Sequence, residues 1–156
     1  MKVREVMNKY PISVSPKDSV VDVARLLVKH NQTALPVVDE DNHLLGIISE
    51  GDMLYKKIKP HTPHYVNILG ASIYYGGIGE YNEQFKKLLA SHVEDLMTVD
   101  VVWEKPETDI EDLVAVMVER HLKMVPVVED DRLIGAVSRH DIMKVIAEEE
   151  APHIVK

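Results

Sequence analysis

Two stretches of this chain, from about Val3 to Ile58 and from about Val93 to Ala147, carry the same landmarks in the same order. Val3, Met7, Pro16 and Asp22 recur 90 positions later as Val93, Met97, Pro106 and Asp112. Pro36-Val37-Val38 recurs as Pro126-Val127-Val128. The second copy then drops one residue in a turn, so that Gly46, Ser49 and Asp52 match Gly135, Ser138 and Asp141 at an offset of 89. Such a duplication restricts the fold to two copies of one supersecondary unit around a shared core. A unit of about 55 residues buries too little surface to stand alone, so the copies are expected to pack sheet to sheet.

The apolar periodicity repeats with the letters. Val20, Val23, Ala24 and Leu27 follow the i, i+3, i+4, i+7 spacing of one helix face, and Ile110, Leu113, Val114 and Met117 repeat it. Ser19 and Asp109 stand where N-caps belong, each with an Asp three residues on. Asn31 is suited to end the first helix in a left-handed conformation. A β-branched run follows (Leu35 to Val38, Val125 to Val128), then a polar turn, then a second apolar run (Leu44 to Ile48, Leu133 to Val137), which together read as a hairpin. A last helix is expected over about Glu50 to Lys59 and about Arg139 to Glu149. With short opening strands at Ile12 to Val14 and Val101 to Trp103, each copy reads β-α-β-β-α. The fold class is therefore α/β (α+β), two repeats related by a pseudo-two-fold axis. The division is 1–59 for the first repeat, 60–92 for an inserted connector with a loop and a short helix, and 93–156 for the second repeat.

Composition narrows the function. The 156 residues include no cysteine, which removes disulfides, thiolate catalysis and cysteine-based zinc sites. The formal net charge of −8, without a run of Lys and Arg, argues against a nucleic-acid partner. The most apolar stretch, Val66 to Ile78, is interrupted by Asn67, Ser72 and glycines and falls short of the roughly 20 apolar residues of a membrane span. The opening Met1 to Glu5 shows no signal-peptide core. A cytoplasmic protein without a membrane partner is the expectation.

Leu35-Pro36-Val37-Val38-Asp39 followed by Leu45-Gly46-Ile47-Ile48-Ser49-Glu50-Gly51-Asp52 resembles the signature of the cystathionine-β-synthase-type (CBS) domain. Val125-Pro126-Val127-Val128-Glu129 and Ile134-Gly135-Ala136-Val137-Ser138-Arg139-His140-Asp141 repeat it. A tandem pair of such domains is a Bateman module. The resemblance implies a regulatory, energy-sensing role in which AMP, ADP, ATP or S-adenosylmethionine binds between the repeats, a homodimeric state, and a separate protein target. By resemblance the Ser of the motif contacts phosphate and the Asp contacts ribose, and each site borrows residues from the other repeat. One site would then join Ser138, Arg139, His140 and Asp141 to Ile12, Thr33 and Ala34. The other would join Ser49 and Asp52 to Thr98, Val102, Lys123 and Met124.

Residue chemistry fits this and also fits something plainer. A serine where a strand turns into a helix meets unpaired N–H groups and the positive end of the helix dipole, which suit an anion. A carboxylate on the first turn can accept two hydrogen bonds from a ribose diol. Ser-x-x-Asp is equally a capping box, and the two roles are compatible. Arg139 favours the second site for a phosphate, whereas Asn8, at a place where the family often has Thr, counts against it. His61-x-x-His64 lacks a third ligand for a catalytic zinc, and the expectation is no metal. The segment from Lys59 to His92 carries Tyr65, Tyr74, Tyr75 and Tyr81 and reads either as a connector packing its aromatics on the repeats or as a flap or docking surface. There is no glycine-rich phosphate loop, metal triad or nucleophile with a base, so no catalytic residue and no cofactor are assigned. Beside the sensor stands an alternative, a ligand-free scaffold or dimerisation module.

Overall fold

The i, i+3, i+4, i+7 stripes become helices because their apolar residues find a hairpin to cover. The computed structural model describes the backbone of residues 1–57, 64–75 and 78–150 and the side chains of 1–56, 69–71 and 83–149. In the first repeat a helical turn α1 (Val3–Val6) precedes helix α2 (Val20–Lys29), strands β1 (Ala34–Val38) and β2 (Leu44–Ser49), and helix α3 (Glu50–Lys57). The insert supplies β3 (His64–Ile68), β4 (Ala71–Tyr75) and α4 (Ile78–Leu89). The second repeat runs α5 (Val93–Leu96), α6 (Ile110–Glu119), β5 (Met124–Glu129), β6 (Arg132–Ser138) and α7 (Arg139–Glu150). Val20, Val23 and Leu27 of α2 are buried, as are Ile110, Leu113 and Met117 of α6. Each contributes about 1.5–3 kcal/mol relative to exposure.

Both signature runs form antiparallel hairpins. β1 pairs with β2 from Ala34 opposite Ser49 to Val38 opposite Leu44, and β5 pairs with β6 from Met124 opposite Ser138 to Glu129 opposite Arg132. The one-residue difference between the copies lies in these turns. Asp130 and Asp131 both have positive φ and close the second hairpin in two residues. The longer first turn is held by Asp39 Oδ1, which accepts the backbone N–H groups of Asp41 and His43 at 2.9 Å each.

The opening strands are shorter than expected. Ile12 to Val14 and Val101 to Trp103 do not form ladders; single parallel bridges join Val14 to Val37 and Glu104 to Val127. The reason is in the signature. Val14 N–H donates to Pro36 O and Val38 N–H to Val14 O. The next rung would need an N–H on Pro36 to reach the Ile12 carbonyl, and proline has none. Pro126 stops the second ladder at Glu104 in the same way.

Each repeat also takes its first helical turn from the other. Val3 N–H donates to Thr108 O and Arg4 N–H to Pro106 O, while Val93 N–H donates to Asp18 O and Glu94 N–H to Pro16 O. Val3 is buried among Ile110, Leu113, Val125 and Ile142, and Val93 and Leu96 among Val23, Leu35 and Ile48. The chain then crosses the facing β-hairpin, where Asn8 bridges Ala136 and Thr98 bridges Ile47. The crossing explains a glycine in each signature. A Cβ on Gly46 would lie 2.7 Å from Thr98 O, and one on Gly135 would lie 2.5 Å from Met7 Sδ and 3.0 Å from Asn8 O.

Helix ends follow the sequence except at one cap. Ser19 Oγ accepts the Asp22 N–H at 3.1 Å. Asn31 and its counterpart His121 are left-handed, with φ of 51° and 54°. Asp109 does not cap α6; its carboxylate instead takes the Lys2 ammonium at 2.7 Å from the exchanged N-terminal segment. In the insert, a hairpin turning at Leu69 and Gly70 precedes α4 where a loop was expected. His61 and the side chains of His64, Tyr65, Tyr74, Tyr75 and Tyr81 lie outside the described residues, and the readings placed on them go with them.

Candidate functional site

A cavity of about 670 Å³ lies at the seam between the repeats. Ile12, Ala34 and Met124 line it together with Ser138, His140 and Asp141. Ala34, Met124 and Ala136 form a small buried apolar cluster there, with Ile47 packed against it. Met124, which the resemblance groups with Ser49 and Asp52, thus lies with Ser138 and Asp141. Thr33, Arg139 and Lys123 are not on the lining. Thr33 O accepts the Glu50 N–H, and Lys123 O accepts the Arg139 N–H at 3.2 Å. The Arg139 side chain donates from Nε to Leu122 O at 2.8 Å and lines a separate apolar groove with Met117, Ile142 and Met143. Val102 is half-buried, between Val101 and Trp103 on a third hollow near the hairpin tips.

The Ser-x-x-Asp motifs are capping boxes in both repeats. Asp141 Oδ2 accepts from Ser138 N and Ser138 Oγ, both at 2.9 Å, and Ser138 Oγ accepts from Asp141 N at 3.2 Å. Asp52 Oδ2 and Ser49 make the same three bonds at 2.9, 3.1 and 3.2 Å. The helix-start amides expected to be open to an anion are therefore largely committed: those of Ser138, Arg139 and Asp141 all have partners within the protein.

The motifs diverge at the second carboxylate oxygen. Asp52 Oδ1 accepts from Thr98 Oγ1 at 2.9 Å and pairs with Lys56 Nζ at 2.9 Å. Lys56 Nζ also donates to Leu96 O at 3.0 Å. Asp52 is 8% exposed. In the second repeat Val145 stands where Lys56 stands in the first, and Asn8 stands where Thr98 does. Asn8 Oδ1 turns back to accept the Tyr10 N–H at 3.0 Å. Asp141 Oδ1 consequently has no hydrogen-bond partner among the described residues. Val145 and Asn8 line the cavity instead of filling it.

Sequence reasoning missed part of the lining: Glu5, Gln32, Lys144, Glu148 and Glu149. Glu148 was within reach of it, since it lies on the Asp141 face of α7 at i+7. Lys56 was also legible as the i+4 partner of Asp52. Asp39, Asp41 and His43 bring ligand-type atoms within 4.8 Å of one another, but the Asp39 carboxylate is occupied by its own turn and by His43 Nδ1 at 2.9 Å.

The CBS domain family model matches residues 3–59 and 93–148. The chain belongs to the CBS-domain family. As a CBS pair it is 34% identical over 155 residues to an uncharacterised protein of Methanocaldococcus jannaschii, covering 94% of this chain and 91% of that one. It is 31% identical over 144 residues to the inosine-5′-monophosphate dehydrogenase of the same organism, covering 92% of this chain but 23% of the enzyme. Among solved structures, CBSX2 of Arabidopsis thaliana superposes with a TM-score of 0.73 at 25% identity, covering 96% of each chain. CBSX2 has also been solved in complex with AMP, with a TM-score of 0.71 at 26% identity, covering 96% of this chain and 98% of that one. A CBS domain pair solved in complex with 5′-methylthioadenosine and S-adenosyl-L-methionine superposes with a TM-score of 0.69 at 25% identity, covering 96% of this chain and 98% of that one. These superpositions match the two-repeat architecture of helices and small antiparallel sheets. No helix among the described residues is long and apolar enough to cross a membrane.

Proposed function

We propose that this CBS pair is a non-catalytic regulatory module that binds one adenosine ligand per chain (AMP, ADP, ATP or S-adenosylmethionine) in the Ser138–Asp141 cavity and signals to a separate protein target. The observation that carries the reading is the half-used carboxylate of Asp141 on an open, partly apolar cavity. Its second oxygen is available to a ribose diol while the first holds the cap. Ile12, Ala34 and Met124 offer apolar surface to an adenine. The Ile12 carbonyl, left without a rung donor by Pro36, is an acceptor for the adenine amino group. The bound adenosine compounds of the two related CBS structures support the same ligand class.

The scaffold reading applies to the first cleft, because Thr98 and Lys56 already satisfy Asp52 there. A homodimer is supported by apolar positions exposed on both copies: Val28 (83%) and Val118 (68%), and Leu54 (50%) and Met143 (55%). We place the protein in the cytoplasm.

Calorimetry with the four ligands tests the assignment. Asp141→Ala is expected to weaken binding roughly ten- to hundredfold and to lower stability by about 1 kcal/mol through the lost cap. Asp52→Ala is expected to leave affinity unchanged and to cost about 2–3 kcal/mol, because it strips partners from Ser49, Thr98 and Lys56 together. An Asp141→Ala protein that binds every ligand normally sinks the assignment.

A further inference from the structure

The charges around the cavity bear on which adenosine compound it takes. Three features that would welcome a phosphate are absent or diverted. The amides of Ser138, Arg139 and Asp141 are bonded within the protein. The Arg139 guanidinium is anchored on Leu122 O and faces a different groove. Among the side chains on the lining, four are carboxylates, Glu5, Asp141, Glu148 and Glu149, and one, Lys144, is an ammonium; Met1 and His140 line the cavity beside them. A phosphate entering here meets like charge with one lysine to offset it.

The acidic groups are also placed beyond the ribose position. Asp141, Val145 and Glu148 share one face of α7, and at about 1.5 Å per residue Glu148 lies roughly 10 Å along the helix from Asp141. A ligand held by its ribose at Asp141 projects its 5′ substituent along this face or across to Glu5 on α1. Either way the substituent enters a field of carboxylates.

We infer that the cavity selects an adenosine ligand whose 5′ substituent is cationic, the adenosyl-sulfonium amino acid type represented by S-adenosylmethionine, over adenosine phosphates. The inference rests on the ligand-site reading above and adds the charge of the ligand to it.

The test is calorimetry on the full chain with S-adenosylmethionine, uncharged 5′-methylthioadenosine, AMP and ATP, at low and high salt. S-adenosylmethionine is expected to bind at least about tenfold more tightly than ATP at low salt, and the gap is expected to narrow at high salt. The double variant Glu148→Gln, Glu149→Gln changes two exposed side chains and is checked for folding by circular dichroism. It is expected to weaken S-adenosylmethionine about three- to tenfold and to leave methylthioadenosine within about twofold. AMP or ATP binding as tightly as S-adenosylmethionine, with methylthioadenosine also bound, overturns the charge inference and leaves the site assignment standing. Equal losses for S-adenosylmethionine and methylthioadenosine in the double variant overturn it too, since shape rather than charge would then be at work. Failure of all four ligands overturns the site assignment and this inference together.

Discussion

Gly46→Ala should be among the most damaging single-methyl changes available in this protein. The added Cβ would stand 2.7 Å from the carbonyl oxygen of Thr98 and 3.3 Å from Met97 Sδ. The sulfur can swing away, but the carbonyl cannot. It accepts the Ile47 N–H at 2.9 Å, and the Thr98 N–H returns a bond to Ile47 O at 2.8 Å. Relieving the clash means lifting the crossing segment off the hairpin. Overpacking costs about 1–3 kcal/mol and the two weakened hydrogen bonds about 1 kcal/mol more, so the loss should be about 2–4 kcal/mol. That is a large part of the roughly 5–15 kcal/mol that holds a domain folded. Urea denaturation followed by circular dichroism should show a lower midpoint with an unchanged slope. Gly51→Ala is the control. It lies in α3, and its Cβ would meet only Ser49 Oγ at 3.6 Å and Tyr55 at 3.7 Å, both ordinary contacts. Replacing glycine within a helix should stabilise by about 0.5–1 kcal/mol. The two alanines are thus expected to move stability in opposite directions five residues apart. A Gly46→Ala protein within about 0.5 kcal/mol of wild type would refute the view that the crossing segment dictates this glycine.

Two further outcomes follow from the charges and the exposed apolar faces. The hydrogen bond from Lys2 holds the Asp109 carboxyl below its usual pKa, and the same bond raises that of Lys2. The contribution of Asp109 is therefore complete above about pH 3.9 and is lost as pH falls through its lower folded value, and that of Lys2 is complete below about pH 10.4 and is lost as pH rises through its higher one. Carbon-13 titration should find Asp109 below the ordinary aspartate range, and Lys2→Ala should return it toward that range; an unmoved Asp109 contradicts the pairing. Light scattering at micromolar concentration should find a homodimer, and Val118→Lys with Met143→Lys should yield a folded monomer. A wild-type monomer with and without ligand argues against the paired apolar faces.

The sequence made the repeats legible because a buried helix face and a buried hairpin impose periods that side-chain chemistry cannot hide. Val20 to Leu27 and Leu35 to Ile48 could be read directly, and so could the left-handed turn at Asn31. The exchange of α1 and α5 could not. Val3 and Val93 look like the start of their own repeats, and periodicity carries no information about which of two equivalent cores a short apolar turn enters. Asp109 failed as a cap for a related reason: its competitor, Lys2, is distant in sequence and arrives only through that exchange. The insert hairpin was hidden by its glycines and tyrosines, which suit a loop and a β-turn equally. At the site, Ile12, Ala34, Ser138 and Asp141 were gathered by resemblance. Lys144 and Glu148, one turn and two turns along α7, belong to no motif and emerge only from the geometry of the helix.

The divergence of the two clefts shows how little sequence is needed to change what a duplicated carboxylate does. Asp52 and Asp141 begin identically, each tied through Oδ2 to a serine amide and hydroxyl. What differs is one position on the following helix and one on the crossing segment. Lys56 and Thr98 turn the spare oxygen of Asp52 inward, so the cleft closes on itself and the carboxylate ties α3 to the segment after α5. Val145 has no donor to offer, and Asn8 spends its amide oxygen on Tyr10. Asp141 therefore keeps its spare oxygen, and the space that a lysine stem would occupy remains part of the cavity. A buried carboxylate fully satisfied by its own protein serves stability, because any ligand must first displace partners that cost nothing to keep. A half-satisfied carboxylate beside an open volume is suited to an exchangeable partner, since its unmet capacity is available whenever that partner arrives. Two copies of one fold can in this way divide the work, the first cleft cementing the pair and the second remaining open to a ligand.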